Sequence, residues 1–155
     1  MNNNELIEKF YSSFSNGNIK EMTECYHKNI SFHDPVFGTL KRKRVLKMWE
    51  MLLSRRTKST KISFTNIQTT IETGTANWTA EYIYGEKNRK IINIVSANFK
   101  FKDGKIIEHT DTFNLWKWTQ QAIGTVGYLI GWTPFMRNKI QKTAKQQLDN
   151  FMNKK

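Results

Sequence analysis

Three ionisable side chains stand among apolar residues in segments that alternate in the manner of β-strands. Asp34 follows Phe32 in the segment Ile30-Ser31-Phe32-His33-Asp34-Pro35, and His109 and Asp111 lie two residues apart further along the chain. Apolar surroundings disfavour the charged form of a carboxylate, which suits a general base near neutral pH. A histidine shuttles protons in the same pH range, and a nearby carboxylate orients it or acts as the base. These patterns predict proton transfer, with Asp34, His109 and Asp111 as the candidate catalytic residues.

Each of these residues also has a structural interpretation. Asp-Pro is a common turn pair, so the Asp34 side chain alternatively caps the turn at Pro35. His109 and Asp111 alternatively lie at a dimer interface or at a strand edge. A pocket is favoured because alternation puts the pair on one strand face with three apolar residues, namely Ile107, Phe113 and Leu115. The opposite face would be much more polar.

No metal or cofactor is predicted. The three histidines, His27, His33 and His109, do not have the spacing of metal ligands, and the single cysteine, Cys25, does not join them. No glycine-rich phosphate loop follows a strand, so a nucleotide site has no support. One cysteine also excludes an internal disulfide, and the N-terminus has no export signal. We therefore expect a cytoplasmic protein.

The net charge of +12 is concentrated in two segments of the chain. Nine of the 25 basic residues lie within 41–61 against one acid, and six more follow Gln120, again against one acid. Such an excess indicates an acidic partner, either nucleic acid or a membrane surface. Neither is favoured, because aromatic residues are not interleaved with the bases as in nucleic-acid grooves and the final helix has little Leu and Phe.

The elements that must position the candidate residues follow from apolar spacing. The 155 residues are enough for one ordinary domain, and twenty aromatic residues can fill its core. Helical spacing predicts helices at 4–16, with Asn4 as the N-cap, and at 41–56, a short helix after Asn18 and a final helix from Pro134. Alternation and turn residues predict strands at 30–35, 61–72, 75–84, 90–101 and 105–116. This order predicts an α+β fold.

One further segment, residues 118–136, carries no charge over nineteen residues. That length approaches the roughly 20 residues of a membrane span. The segment also contains polar residues, three glycines and Pro134, which argue against a transmembrane helix. The prediction is a helical turn and a glycine-broken loop packed on the domain.

Four short motifs, taken in order, resemble a known superfamily. They are Phe10-Tyr11-Ser12-Ser13-Phe14-Ser15-Asn16-Gly17-Asn18, Phe32-His33-Asp34-Pro35-Val36-Phe37-Gly38, Phe99-Lys100-Phe101-Lys102-Asp103-Gly104-Lys105-Ile106 and His109-Thr110-Asp111-Thr112-Phe113. Their order and spacing resemble the SnoaL-like, ketosteroid isomerase-like branch of the nuclear transport factor 2-like superfamily. The resemblance covers about residues 5–116.

The resemblance implies a cone-shaped roll with N-terminal helices packed on a curved, mostly antiparallel sheet. We expect a single SnoaL-like domain over 1–155, with an extra C-terminal helical segment at about 117–155, and a homodimer. The fold implies a pocket for a small hydrophobic ligand or substrate. The candidate substrate-binding residues are aromatic: Phe10, Tyr11, Phe14, Phe32, Phe37, Trp49 and Phe113.

The resemblance also limits the reaction. In ketosteroid isomerases a Tyr and a protonated Asp form the oxyanion hole, and their positions match Phe10 and Ala97 here. Epoxide hydrolases of this fold use an Arg-x-Asp pair, which Arg89-Lys90-Ile91-Ile92-Asn93 does not supply. Three interpretations stay open: an isomerase or cyclase that moves a proton next to a carbonyl, a non-catalytic ligand-binding or dimerisation module, and a basic-surface binder of nucleic acid or anionic lipid.

Overall fold

The chain begins with two short helices, continues with a six-stranded sheet that one helix interrupts, and ends with a run of helices. The computed structural model describes residues 1–154. The helices are α1 (Asn3–Ser15), α2 (Ile19–Glu24), α3 (Lys43–Ser54), α4 (Leu115–Ile123), α5 (Thr125–Ile130) and α6 (Pro134–Met152). The strands are β1 (Tyr26–Asp34), β2 (Gly38–Lys41), β3 (Lys61–Thr69), β4 (Thr73–Tyr84), β5 (Arg89–Lys102) and β6 (Lys105–Thr112).

The sheet has the strand order β2-β1-β6-β5-β4-β3. Only β1 and β6 run parallel, and every other neighbouring pair is antiparallel. The parallel pair joins the first part of the chain to the last strand, so it brings the segment around Asp34 beside the segment around Asp111. The predicted α+β roll, with helices on a curved and mostly antiparallel sheet, is confirmed.

The two N-terminal helices begin at asparagine caps. The N-cap of α1 is Asn2, not Asn4 as predicted, because Asn2 and Glu5 hydrogen-bond reciprocally in a capping box. The predicted cap of α2 is confirmed, since the Asn18 side chain accepts from the Glu21 N–H. The apolar face of α1 is buried and anchors the helix on the sheet.

Helix α3 is shorter than the predicted 41–56 and has no side-chain cap at its start, where Arg42 has a φ of 53°. Its buried side chains include Met48 and Trp49. Basic residues at the start of a helix are unfavourable, because they lie at the positive end of the helix dipole. One of them, Arg44, has an acidic partner: its Nη1 lies 2.7 Å from Asp149 Oδ1 of α6. This exposed pair links α3 to the C-terminal helix.

A bulge in β6 changes which residue faces the core. Lys100 pairs with Glu108, but Phe101 pairs with Ile106, so Ile107 is an extra residue in β6. The predicted alternation put Ile107 inward, whereas Ile106 is fully buried and Ile107 only partly. An extra residue moves every position before it to the opposite face of the strand. Beyond the bulge the prediction is confirmed: His109 and Asp111 face inward.

The segment after β6 is helical, so two predictions are corrected. The last strand ends at Thr112 rather than 116, because the Asn114 side chain caps α4 by accepting from the Lys117 N–H. The predicted glycine-broken loop is a pair of helices that meet at Gly124, whose φ is 79°. The final helix begins at Pro134 as predicted, capped by Thr133. No helix in residues 1–154 is long and apolar enough to cross a membrane.

The contact between α4 and α5 depends on Gly127. A Cβ atom at this position would overlap the carbonyl oxygen of Thr119 in α4. We expect Gly127→Ala to lower the free energy of unfolding by about 1–3 kcal/mol, the usual cost of overpacking. Denaturant unfolding measures this, with the exposed Thr125→Ala in the same helix as a near-neutral control. Equal unfolding midpoints for the two variants would contradict the close packing.

Candidate functional site

A cavity of about 860 Å³ lies between the inner face of the sheet and the helices α3 and α6. The sheet contributes residues of β4, β5 and β6 and Asp34 at the end of β1, and the short turn after β1 contributes Phe37. Helix α4 closes part of the wall with Trp118, whose Nε1–H donates to Tyr82 Oη at 2.9 Å. The volume falls in the range of about 300–1,000 Å³ that small-molecule sites occupy.

Asp34 caps the turn after β1 and also lines the cavity. Its Oδ1 accepts hydrogen bonds from the backbone N–H groups of Val36 at 2.9 Å and of Phe37 at 2.6 Å, so the side chain does cap the turn. The residue also lines the cavity. Its Oδ2 has no hydrogen-bond partner among the described residues, which leaves this oxygen available to a ligand.

The pKa of Asp34 is raised toward neutral pH. Burial, and to a smaller extent the nearby Asp111 carboxyl, raise the pKa of Asp34 from 3.8 to about 7, against the lowering effect of the Phe37 and Val36 N–H groups. Asp34 is therefore present in both protonated and ionised forms at neutral pH. A carboxyl group in this state can donate and accept protons.

His109 and Asp111 form a buried hydrogen-bonded pair. His109 Nε2 lies 2.8 Å from Asp111 Oδ1, and Trp78 Nε1–H donates to the same oxygen at 3.2 Å. His109 is fully buried, whereas Asp111 lines the cavity although it is only 3% exposed. Asp111 Oδ2 has no hydrogen-bond partner among residues 1–154. The arrangement fixes one carboxylate oxygen and leaves the other for a ligand.

Two further side chains determine the tautomer of His109. Trp49 Nε1–H donates to Tyr26 Oη at 2.9 Å, and Tyr26 Oη lies 2.7 Å from His109 Nδ1. Because indole is only a donor, the Tyr26 oxygen accepts from Trp49 and its hydrogen is free for His109. His109 then accepts at Nδ1 and donates from Nε2 to Asp111. Every polar hydrogen in this chain has an acceptor, so the network holds Asp111 in place through His109.

Apolar and aromatic side chains surround this network. Burial, and next the Asp111 carboxylate, raise the pKa of Tyr26 well above its ordinary value, so the phenol stays a neutral donor. Aromatic rings enclose the His109 imidazole with centroid distances of 4.6 to 6.2 Å, from Phe10, Tyr26, Phe32, Trp49 and Phe99. Hydrogen bonds in such surroundings are stronger than in water, and a polar group left without a partner there lowers the stability of the fold by more than it would at the surface.

The parallel pairing of β1 and β6 places the two carboxyl groups side by side. Phe32 pairs with His109, and His33 with Thr110. One residue further along, Asp34 and Asp111 occupy neighbouring positions on strands that lie about 4.8 Å apart. Both line the cavity, each with one oxygen fixed by N–H donors and one oxygen without a protein partner. The two carboxyl groups therefore lie together at the cavity wall.

The predicted aromatic residues divide into two layers. Phe14, Phe37, Trp49 and Phe113 line the cavity. Phe10, Tyr11 and Phe32 do not; they are buried at 0–1% exposure behind the wall, where Phe10 and Phe32 pack against His109. The expectation that these three contact a ligand is corrected on that ground, because their rings pack among other aromatic side chains of the core. Within the described part of the chain the Tyr11 hydroxyl has no hydrogen-bond partner, and burial raises its pKa.

Sequence reasoning missed Tyr26, Trp78, Trp118 and the residues of α6 that line the cavity. Tyr26 precedes the predicted strand 30–35, because β1 begins four residues earlier. Trp78 lies on the same face of β4 as the buried Ala76 and Ala80, so its inward direction could have been predicted from the alternation of the strand. Trp118 and the lining residues of α6 come from a segment whose position no local pattern indicates. Among residues 1–154, no group of three or more His, Cys, Asp or Glu side chains forms a metal-ligand set.

The raised pKa of Asp34 predicts how the free energy of unfolding changes with pH. The folded state holds the Asp34 proton up to about pH 7, but the unfolded state releases it near pH 3.8, so stability falls as pH rises between these values. At about 1.4 kcal/mol per pH unit, discounted for partial exposure to the cavity, the loss is about 2–3 kcal/mol. Asp34→Asn keeps the turn acceptor and should be more stable than the wild type at about pH 8. Equal pH dependence of unfolding for the two proteins would contradict the shift.

Comparison with known proteins identifies the fold and a family. Residues 7–109 match the family model of the SnoaL-like domain. Among similar solved structures, TerC co-crystallised with polyporic acid is 14% identical, with a TM-score of 0.65 over 76% of this chain and 95% of that chain. Bal32a, from a soil-derived mobile gene cassette, is 18% identical, with a TM-score of 0.66 over 76% and 93%.

A third similar structure is that of SalBIII, an epoxide hydrolase/cyclase-like enzyme in pyran ring formation in polyether salinomycin. It is 12% identical, with a TM-score of 0.62 over 72% of this chain and 89% of that chain. No curated protein sequence matches the chain significantly. At these identities the structural likeness establishes the fold, and the chemistry must be argued from the site.

Proposed function

The chain belongs to the SnoaL-like domain family, and from that premise we propose that it is an acid–base enzyme acting on a small apolar carbonyl compound, as an isomerase or a cyclase. One observation carries the proposal. Asp34 and Asp111 lie on neighbouring strands at one cavity wall, and each has one oxygen held by N–H donors and one oxygen without a protein partner. Paired carboxyl groups in different surroundings are a common means of separating acid from base.

The two carboxyl groups take different roles in the proposed reaction. Asp111 is the base: its Oδ2 takes a proton from the carbon next to the substrate carbonyl, and the C–H electrons form a C=C bond. Asp34, in its protonated form, donates its proton to the carbonyl oxygen as negative charge develops there. In an isomerisation of a β,γ-unsaturated ketone, the resulting dienol takes the proton back from Asp111 at its γ-carbon while its O–H returns a proton to Asp34. In a ring closure, the enol carbon attacks a second carbonyl, whose oxygen takes the proton from Asp111 while the enol O–H returns its proton to Asp34. His109 is a positioning residue that holds Asp111 through Nε2–H.

This assignment accounts for a departure from ketosteroid isomerases. The two positions that match their oxyanion donors are Phe10 and Ala97, both buried and apolar. Ala97 pairs directly with Asp111 across β5 and β6, so no side-chain donor stands there. The protonated Asp34 carboxyl supplies a donor from the other side, on β1. Its pKa of about 7 keeps a protonated fraction at neutral pH.

The cavity lining indicates the class of substrate. Three tryptophans, Trp49, Trp78 and Trp118, line it together with aliphatic side chains of α3 and α6. Arg55, Arg56 and Lys139 also line the cavity. A flat apolar compound with an acidic or carbonyl substituent fits such a lining. The similar structure of TerC was co-crystallised with polyporic acid, which supports a ligand of this kind.

The experiment that tests the proposal separates binding from turnover. The cavity tryptophans report binding through their fluorescence, so a panel of aromatic and alicyclic ketones, diketones and hydroxyquinones can be titrated and the products analysed by mass spectrometry. We expect at least one compound to bind and be converted, and Asp34→Asn and Asp111→Asn to bind it without conversion. Unchanged conversion in both variants would overturn the proposal. Binding of several compounds without conversion of any would instead support a non-catalytic ligand-binding module.

A further inference from the structure

The segment 116–135 carries an exposed apolar surface that the proposed reaction does not use. Eight of its side chains, each between 37% and 70% exposed, form what we call the apolar patch: Trp116, Ile123, Val126, Tyr128, Leu129, Ile130, Trp132 and Phe135. They lie on α4, on α5 and at the start of α6. Single apolar residues are ordinary on a protein surface, but a group of this size marks an interaction site.

Contacts within the segment hold the patch together as one surface. The rings of Trp116 and Tyr128 pack with centroids 5.7 Å apart, and Trp116 Nε1–H donates to the Tyr128 carbonyl oxygen at 3.0 Å. Trp132 Nε1–H donates to the Leu129 carbonyl oxygen at 3.1 Å. Gly127 allows α5 to lie directly against α4. The apolar side chains are therefore displayed by a packed pair of helices.

The chain segment that carries the apolar patch has basic residues and no acidic residue before Asp149. From Thr112 to Leu148 the sequence has no acidic residue and five basic residues, Lys117, Arg137, Lys139, Lys142 and Lys145. A sixth, Arg89, lies against the end of α4, where its Nε–H donates to the Gln121 carbonyl oxygen at 2.6 Å. Glu86, on the turn between β4 and β5, is an acidic residue that lines the same cavity, as Asp34 and Asp111 do. A protein surface that combines apolar side chains with nearby basic residues is complementary to a surface that is negatively charged outside and apolar inside.

The apolar patch is continuous with the cavity. Ile123 and Val126 belong to both, since each is exposed and each lines the cavity. Met136 and Ile140, in the first two turns of α6, continue the lining inward. A path of apolar side chains thus leads from the protein surface to the wall that holds Asp111.

We propose that the apolar patch docks on an anionic lipid membrane, with its aromatic and aliphatic side chains inserted at the headgroup level and the surrounding bases on the lipid charges. Trp and Tyr are enriched at this depth, and apolar insertion combined with basic residues gives stable interfacial binding. The docked position opens the cavity toward the bilayer, which supplies apolar compounds that are scarce in water. This last consequence rests on the proposed function; the docking itself does not.

A second copy of the chain fits the apolar patch less well. In a two-fold contact the same surface meets itself, so the basic residues around one apolar patch would face those around the other. Like charges brought together at an interface are unfavourable. Anionic lipids neutralise the same residues, which is why a membrane is the occupant that the charges favour.

Vesicle co-sedimentation tests the docking. The full chain is mixed with vesicles of phosphatidylglycerol and phosphatidylcholine in equal parts, or of phosphatidylcholine alone, at low and high salt. We expect binding to the anionic vesicles that weakens with salt, and an about tenfold lower partition coefficient for Leu129→Asp. Phe135→Asp, at the second position of α6 where an acid suits the helix dipole, is a second variant that is expected to fold and to show the same loss.

A matched control makes the same change elsewhere. Ile71 is 90% exposed in the turn between β3 and β4, outside the apolar patch, so Ile71→Asp should bind vesicles within about twofold of the wild type. Asp111→Asn should also bind normally, which separates a failure of the docking from a failure of the proposed reaction. No binding to anionic vesicles, or equal binding by Leu129→Asp and the wild type, would overturn the proposal. A wild-type dimer that Leu129→Asp dissociates would assign the apolar patch to a second copy and overturn it too.

Discussion

Asp111→Asn is expected to lower the turnover number by about 10³-fold, because the group that accepts the substrate proton is removed. The amide oxygen of Asn still accepts from His109 Nε2–H and Trp78 Nε1–H, and the NH₂ group replaces the oxygen that has no protein partner. The fold and the cavity should therefore be retained. The loss should appear in kcat, with the dissociation constant of the ligand changed by about threefold or less.

The control for this variant is the same substitution at an exposed carboxylate. Asp103 lies in the turn between β5 and β6 with its side chain 73% exposed, and its φ of 53° is one that Asn tolerates. Asp103→Asn should keep full turnover, measured with the same substrate by single-turnover kinetics. A kcat for Asp111→Asn within about threefold of the wild type would rule out Asp111 as the base.

Tyr26→Phe is expected to lower the free energy of unfolding by about 2–6 kcal/mol, although it removes only one buried oxygen. Without the hydroxyl, Trp49 Nε1–H loses its acceptor and His109 Nδ1 loses its donor, and both groups are enclosed by aromatic rings. Each buried polar group left unpaired costs about 1–3 kcal/mol. The large effect follows from the position of Tyr26 in the middle of the network.

Tyr82→Phe is the matched control, because it removes a tyrosine hydroxyl with a single tryptophan partner in a half-buried position. Its expected cost is about 1 kcal/mol, since only Trp118 Nε1–H loses an acceptor. Denaturant unfolding of the two variants and the wild type gives both values. If Tyr26→Phe were no more destabilising than Tyr82→Phe, the continuous network through His109 would not exist in solution.

The fold was largely predictable because its strands and helices have clear periodicities. Alternation identified β3 to β6, and helical spacing identified α1, α3 and α6 to within a few residues. The errors have local physical causes. An extra residue in β6 at Ile107 reversed the expected faces before it, and the Asn114 cap began a helix where apolar alternation predicted more strand. Neither a bulge nor a competing cap is visible in periodicity alone.

The candidate site was predictable only where it depends on a single strand. Asp34 and the pair His109 and Asp111 were identified from alternation, since each strand has one apolar face. Asp34 lies beside Asp111 because β1 pairs in parallel with β6. This contact joins distant parts of the chain, and the predicted strand 30–35 was shorter than β1. Tyr26 joins the network through the same pairing. Local sequence patterns carry no information about such neighbours.

The C-terminal segment was the least predictable part. Its nineteen uncharged residues, with three glycines among them, fit a loop or a packed helix pair equally well by composition. The structure forms the helix pair because Gly127 lets α5 approach α4 and Gly124 supplies the turn between them. This places Trp118 and α6 against the cavity and leaves the apolar patch on the outside.

Deuterium exchange at carbon tests the central claim most directly, because it detects proton abstraction without requiring the natural product to be known. Ketones and diketones that quench the fluorescence of the cavity tryptophans are incubated in heavy water with the wild type, with Asp111→Asn and with Asp103→Asn. Mass spectrometry then measures deuterium at the carbon next to the carbonyl. The account predicts exchange well above the buffer rate for the wild type and Asp103→Asn, and exchange near the buffer rate for Asp111→Asn. Bound compounds that exchange no faster than in buffer, or equally fast with Asp111→Asn as with the wild type, would contradict it.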